Sequence, residues 1–152
     1  MPIKSFRGMI ASGTIDTVSL HTNNGSTGYR IKSLRVIGND PVVNEDEAVL
    51  KIYTVPQATV TSKVDFSDNT LLAVGVWTSR STARSYPLNE NIYFDNITFN
   101  QDIYITAIEP VSGNPVNYYL ELEMVKLDLN ENTVATLKDI RNIESSVTTH
   151  FP

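Results

Sequence analysis

Apolar and polar side chains alternate with a period of two through most of this chain, most cleanly in residues 116–127. There Tyr118, Leu120, Leu122 and Met124 fall on one face of an extended strand, and Tyr119, Glu121 and Glu123 on the other. A strand that reads this way sets one side against a core and the other in water. The same period marks candidate strands at 3–10, 14–22, 27–37, 47–55, 70–78, 90–95, 102–109 and 116–127. Their apolar residues are mostly Val, Ile, Tyr and Phe, with Thr recurring, the types that suit a half-buried pleated surface. Strands in this number, separated by frequent turns, predict an all-β domain: a two-sheet antiparallel β-sandwich, jelly-roll-like.

Two stretches break the pattern. Tyr29 and Ile31 share one phase, while Leu34 and Val36 share the other, so a one-residue bulge near Lys32-Ser33 is expected to return both pairs to one face. Leu71-Leu72-Ala73-Val74-Gly75-Val76-Trp77 has no polar alternation, so it is either a central strand covered on both faces or a strand whose outer face meets another subunit. Between strands, Asn24-Gly25 is the strongest hairpin signal, because a type I′ turn needs positive φ at both central residues. Gly38-Asn39-Asp40-Pro41 and Ser112-Gly113-Asn114-Pro115 mark two further boundaries. After Asp128 the period becomes helical. Asp128-Leu129-Asn130-Glu131 matches a capping box, and Val134, Leu137 and Ile140 follow at helical spacing. A short C-terminal helix is therefore expected over about 129–143, with a frayed tail over 144–152.

Length and composition fit one domain spanning residues 1–152, since 41% hydrophobic and 19% charged residues describe a globular chain. The absence of cysteine excludes disulfides, thiolate metal sites and cysteine nucleophiles. The longest apolar run, seven residues at 71–77, is far below the roughly 18–20 of a membrane helix. No signal-peptide pattern follows Met1-Pro2-Ile3-Lys4, so the expectation is synthesis in a host cytoplasm with no membrane partner, and the glycosylation-type triplets at Asn24 and Asn96 are coincidental. The net charge of −5 is unevenly placed: residues 1–38 carry Lys4, Arg7, Arg30, Lys32 and Arg35 against Asp16 alone, a local +4 that leaves −9 elsewhere. An acidic chain of this kind is not expected to bind nucleic acid.

No motif supplies an active site. A serine triad needs a base oriented by a carboxylate, but the only histidines, His21 and His150, lie beside a turn and near the end, and no Gly-x-Ser-x-Gly elbow is present. Asn44-Glu45-Asp46-Glu47 and Asp65-Phe66-Ser67-Asp68-Asn69 lack the ligand spacing of a calcium loop and read as solvated turns. Glu121 and Glu123, two apart on one strand, point the same way instead of flanking a glycosidic bond. No glycine-rich phosphate loop precedes a helix. The loop 77–87 mixes arginines, aromatics and small hydroxyls, a composition suited to contact surfaces, but the expectation is a flexible Ser/Thr-rich connector. The expectation is a non-enzymatic protein with no catalytic residues, no metal and no cofactor.

Ala48-Val49-Leu50-Lys51-Ile52-Tyr53, Glu90-Asn91-Ile92-Tyr93-Phe94-Asp95-Asn96 and Asp102-Ile103-Tyr104-Ile105-Thr106-Ala107, extended by 116–127 and 129–142, resemble the small β-sandwich accessory proteins of tailed bacteriophage particles. That resemblance implies a capsid decoration or cement protein of the virion, bound outside the head to the major capsid protein or another virion component, often as a trimer. Docking is expected through Lys4, Phe6 and Arg7, and self-association through Leu71, Ala73 or Trp77. The alternative is a carbohydrate-binding module for host-surface glycans, with Trp77, Tyr86 or Tyr119 as the aromatic platform.

Overall fold

The computed structural model describes residues 2–22, 25–41, 46–79 and 88–127. Among them, period-two alternation becomes eight strands: β1 (Ile3–Ile10), β2 (Thr14–Val18), β3 (Thr27–Gly38), β4 (Asp46–Tyr53), β5 (Leu71–Ser79), β6 (Leu88–Tyr93), β7 (Ile103–Ile108) and β8 (Val116–Lys126). Each lies where the sequence places it, with ends shifted by a few residues. The expected helix over 129–143 and the tail 144–152 lie outside the described residues.

The strands form two antiparallel sheets, one of three strands in the order β1-β8-β3 and one of five in the order β2-β7-β4-β5-β6. Their inner faces pack together. Ile31, Leu34 and Leu120 of the smaller sheet and Leu50, Ile52 and Ile105 of the larger belong to one buried cluster. The pairing is nested: the first strand pairs with the eighth, the second with the seventh and the fourth with the fifth. The third and sixth lie side by side without a backbone ladder, joined where Asn89 Nδ2 donates to the Val36 carbonyl at 2.8 Å.

The expected bulge is present. The β3–β8 register steps between Ile31 and Ser33, leaving Lys32 unpaired and exposed. Tyr29, Ile31, Leu34 and Val36 are all buried as a result. A second bulge explains the unbroken apolar run of β5. Ile52 pairs with Ala73 and Tyr53 with Leu71, which makes Leu72 the extra residue. Leu72, Ala73 and Trp77 then join the core between the sheets, and Leu71 and Val74 join Tyr53 in a separate outer cluster. The segment 54–70 lies over that outer side. Lys51, 3% exposed, donates from Nζ to the Lys63 carbonyl and to Thr61 Oγ1, and Phe66 meets Phe94 edge-on at 5.5 Å. Of the two readings of this strand, coverage on both faces by the chain itself is the one observed.

The hairpin expected at Asn24-Gly25 is not one. Gly25 has φ of 64° and a turn bond to Thr22, but the strands on either side belong to different sheets: β2 pairs with β7, and β3 with β8. Asn24 itself lies outside the described residues. The connections at 39–45 and 109–115 likewise carry the chain from one sheet to the other. A tight turn fixes a local reversal, and the long-range ladder decides which strands pair.

The sheets approach closely at Gly75. A Cβ there would collide with the Val36 side chain and sit 2.9 Å from Asn91 Oδ1. Gly75→Ala is expected to destabilise the fold by about 1–3 kcal/mol through overpacking. Adding Val36→Ala should relieve the collision, so urea unfolding of the double variant should show a smaller loss than the sum of the two single losses.

Candidate functional site

Antiparallel pairing stacks side chains from three strands into rows across the outside of the smaller sheet. Arg7 of β1 and Arg35 of β3 both stand opposite Tyr119 of β8. The next outward row is Met9, Asn117 and Ile37, and the inward-facing row Gly8, Tyr118 and Val36 lies between them. A groove of about 620 Å³ runs between the two outward rows, walled by Arg7, Tyr119 and Arg35 on one side and Asn117 and Ile37 on the other, with Gly8, Val36 and Tyr118 between and Asn89 at the β3 edge. Gly8 is small because Tyr118 lies beneath it: a Cβ would sit 3.0 Å from the Tyr118 hydroxyl.

The groove combines cationic, aromatic and apolar surface. No carboxylate of the described residues is ion-paired with either guanidinium. Tyr119, 39% exposed, donates its hydroxyl to Glu121 Oε2 at 2.7 Å, which fixes the ring and pushes the phenol up. Met9 and Ile37, 57% and 43% exposed, stand at the two ends of the next row with Asn117 between them. Such a surface can pair carboxylates bidentately through arginine while apolar groups cover Met9 and Ile37.

The residues expected to dock do not share one face. Arg7 lines the groove, whereas Phe6 points inward and packs against the core with Lys4 Nζ 5.7 Å from its ring centre. Leu71, Ala73 and Trp77, expected near a subunit contact, are 1%, 0% and 6% exposed. Trp77 therefore offers no platform to a sugar, and Tyr86 lies outside the described residues. Of the two candidates among the described residues, Tyr119 is the one at the surface.

Two polar constellations lie elsewhere. Asp102 Oδ1 accepts the amides of Leu20 and His21 and meets His21 Nδ1 at 2.7 Å. Burial raises this carboxyl, but the His21 and backbone hydrogen bonds outweigh it and hold it below the usual carboxylate range. The arrangement pins the crossover after β2. The second constellation was not visible in the sequence. Glu109, 1% exposed, accepts the Glu47 amide at 2.7 Å, the Ser112 hydroxyl at 2.8 Å and the amides of Ser112 and Gly113. Those bonds overcome the upward push of burial and keep it ionised below its ordinary range. Beside it, Asp46 is fully buried, with Oδ1 3.4 Å from the Ser112 hydroxyl and Oδ2 unpartnered. Burial, and then the Glu109 charge, push Asp46 up. Trp77 Nε1 is also unpartnered, and a Cβ on Gly38 would collide with Asp46 Oδ2 and sit 2.9 Å from that nitrogen. The one sequence signal for Glu109 is an acidic residue just before Pro110 and a Ser-Gly turn, whose free amides need an acceptor.

Of the two acidic stretches expected as solvated turns, the first departs from that reading, because Asp46 is fully buried at the start of β4. Asp65 and Asp68 accept the amide and hydroxyl of Ser67 and Thr70 respectively, and Asn44 and Glu45 lie outside the described residues. Among the described residues, no three His, Cys, Asp or Glu side chains are placed to hold a metal, and no helix is long and apolar enough to cross a membrane. Comparison with protein-family models gives no match, and comparison with curated proteins gives none.

The buried carboxyl pair predicts a pH dependence. The folded-state pKa of Asp46 lies above its ordinary 3.8, so its contribution to stability falls as pH rises from that value through the folded pKa. Asp46→Asn removes the term, and it should stabilise the protein at pH 7 relative to the parent. The gain should shrink toward pH 4, as read from urea midpoints across that range.

Proposed function

We propose that this chain is a non-enzymatic virion structural protein, a decoration or cement protein that binds the outside of a capsid. The reading is carried by the nested strand pairing, which is what results when one long antiparallel ribbon is rolled upon itself. Three of its four pairs are laddered and the fourth is held by the Asn89 contact. We take this as a jelly roll whose sixth strand has moved to the edge of the larger sheet. Jelly rolls recur in viral capsid and lectin domains. Fold alone does not define function, so the reading also draws on the resemblance of the strands to phage accessory proteins and on a large exposed sheet face suited to surface recognition.

The partner in this reading is the major capsid protein or another virion component, and the location is the virion. A homo-oligomer, with a trimer favoured, belongs to the same proposal. Its contacts would fall outside Leu71, Ala73 and Trp77, whose side chains are buried within one chain. Among the described residues, exposed Ile15, Val64, Phe66 and Ile92 are apolar residues on the outer side of the larger sheet. The alternative, a glycan-binding module, is favoured by one observation, the exposed Tyr119 ring beside Asn117 in the groove.

Density-gradient fractionation of a lysate in which the virus is produced tests the reading. The chain is expected to travel with intact particles in a fixed ratio to the major capsid protein, as read by quantitative mass spectrometry. A chain that stays in the free-protein fractions rules out the structural role.

A further inference from the structure

Taking the docking role as its starting point, we infer that the groove across β1, β8 and β3 receives an extended acidic segment of the partner protein. Carboxylates of that segment pair with Arg7 and Arg35, and its apolar side chains cover Ile37 and Met9. Three features support this occupant.

The first is charge. The chain carries −5 overall, yet two guanidiniums flank the groove, and no carboxylate of the described residues is ion-paired with either. Exposed arginines of this kind suit carboxylates, which they bind through paired hydrogen bonds. Glu121 of β8 already receives the Tyr119 hydroxyl, and Glu90 of β6, which lines a second pocket with Arg35, makes no ion pair with that arginine.

The second is spacing. Arg7 and Arg35 stand on the two strands flanking β8, so their backbones are two strand separations apart, about 10 Å. In a polyproline II-like segment, residues i and i+3 face the same way about 9.3 Å apart. Acidic residues at that interval place one carboxylate over each arginine, with the chain lying across the Tyr119 ring between them.

The third is the apolar pair at the ends of the neighbouring row. Met9 and Ile37 are exposed and aliphatic. They provide no hydrogen bond to a sugar hydroxyl, and desolvating hydroxyls there is costly. Valine, leucine or proline side chains of a peptide gain from the same contact. This favours a peptide over an anionic glycan.

Fluorescence anisotropy with a fluorescein-labelled peptide of glutamate–valine–proline repeats tests the assignment. A lysine–valine–proline peptide and a sulfated oligosaccharide serve as the comparison probes. The acidic peptide should bind the parent protein, weaken as salt rises, and lose about tenfold or more in affinity on Arg7→Gln/Arg35→Gln, a loss of roughly 1.4 kcal/mol. Lys4→Gln/Lys32→Gln, which removes equal charge outside the groove, should leave the affinity within about twofold if the contact is local. Thermal unfolding checks that both variants are folded. Binding that is absent, or that survives Arg7→Gln/Arg35→Gln unchanged, overturns the inference, and so does oligosaccharide binding without peptide binding. A particle-sedimentation arm separates this from the wider reading. If the parent and the Arg7→Gln/Arg35→Gln variant bind particles equally, the groove assignment fails and the virion role stands. If the parent does not bind particles, the virion role fails and the peptide titration alone decides the groove.

Discussion

β8 is hydrogen-bonded along both edges, to β1 on one side and to β3 on the other, and so supplies every ladder of the smaller sheet. That sheet cannot exist until residues near 120 have met residues near 6 and near 34, a closure of long loops whose entropy must be offset by the pairing itself. The bulge at Lys32 matters for the same reason. Without it, one half of β3 would turn Tyr29 and Ile31, or Leu34 and Val36, toward water. The groove is a product of this pairing. Arg7 and Arg35 are remote in sequence, and only the β8 register sets them on either side of Tyr119.

The larger sheet solves a different problem. Its β5 is apolar on both sides, and the bulge at Leu72 sends its neighbours into two separate clusters. The outer cluster is covered by the segment 54–70, which Lys51 holds through the Lys63 carbonyl and Thr61. A lysine is an apt pin here because its stem covers apolar surface and its three donors reach carbonyls that a loop leaves unpaired. Burial lowers its pKa, but the neighbouring Asp68 charge opposes that shift. The unbroken apolar strand is therefore an internal element.

How much of this was legible in the sequence follows from the range over which each determinant acts. All eight strands could be read, because alternation is local and depends only on which face each residue must bury. The Lys32 bulge was legible for the same reason, as a phase conflict within one strand. Sheet membership was not. Asn24-Gly25 carries the local chemistry of a hairpin, yet the chain leaves it for the other sheet, because pairing with β7 and β8 outweighs the preference of one turn. Glu109 and Asp46 were missed because each looks like an ordinary strand-end acid. Only the folded chain brings the Glu47, Ser112 and Gly113 amides to Glu109 and leaves Asp46 beside it without a partner for Oδ2. Of the residues expected to dock, Arg7 lies in the groove and Phe6 points inward, a distinction that period-two alternation already contains.

The charge asymmetry seen along the chain becomes an asymmetry in space. Lys4, Arg7, Arg30, Lys32 and Arg35 all lie on β1 or β3, the two strands that flank β8. Glu121 and Glu123 stand on β8 itself, opposite Ser5 and Ser33 and opposite Ile3 and Arg30 respectively, and leave the Arg7–Tyr119–Arg35 row to cation and ring. Asp46 and Glu109 are buried, and the amides and hydroxyl around Glu109 neutralise much of its field locally. A net charge of −5 is thus a poor guide to what an approaching molecule meets, since a local cationic face governs encounter within a Debye length, about 8 Å at physiological salt. An acidic segment is repelled by the net charge of the protein and attracted by the Arg7–Tyr119–Arg35 row, and that contrast selects an orientation before any contact forms.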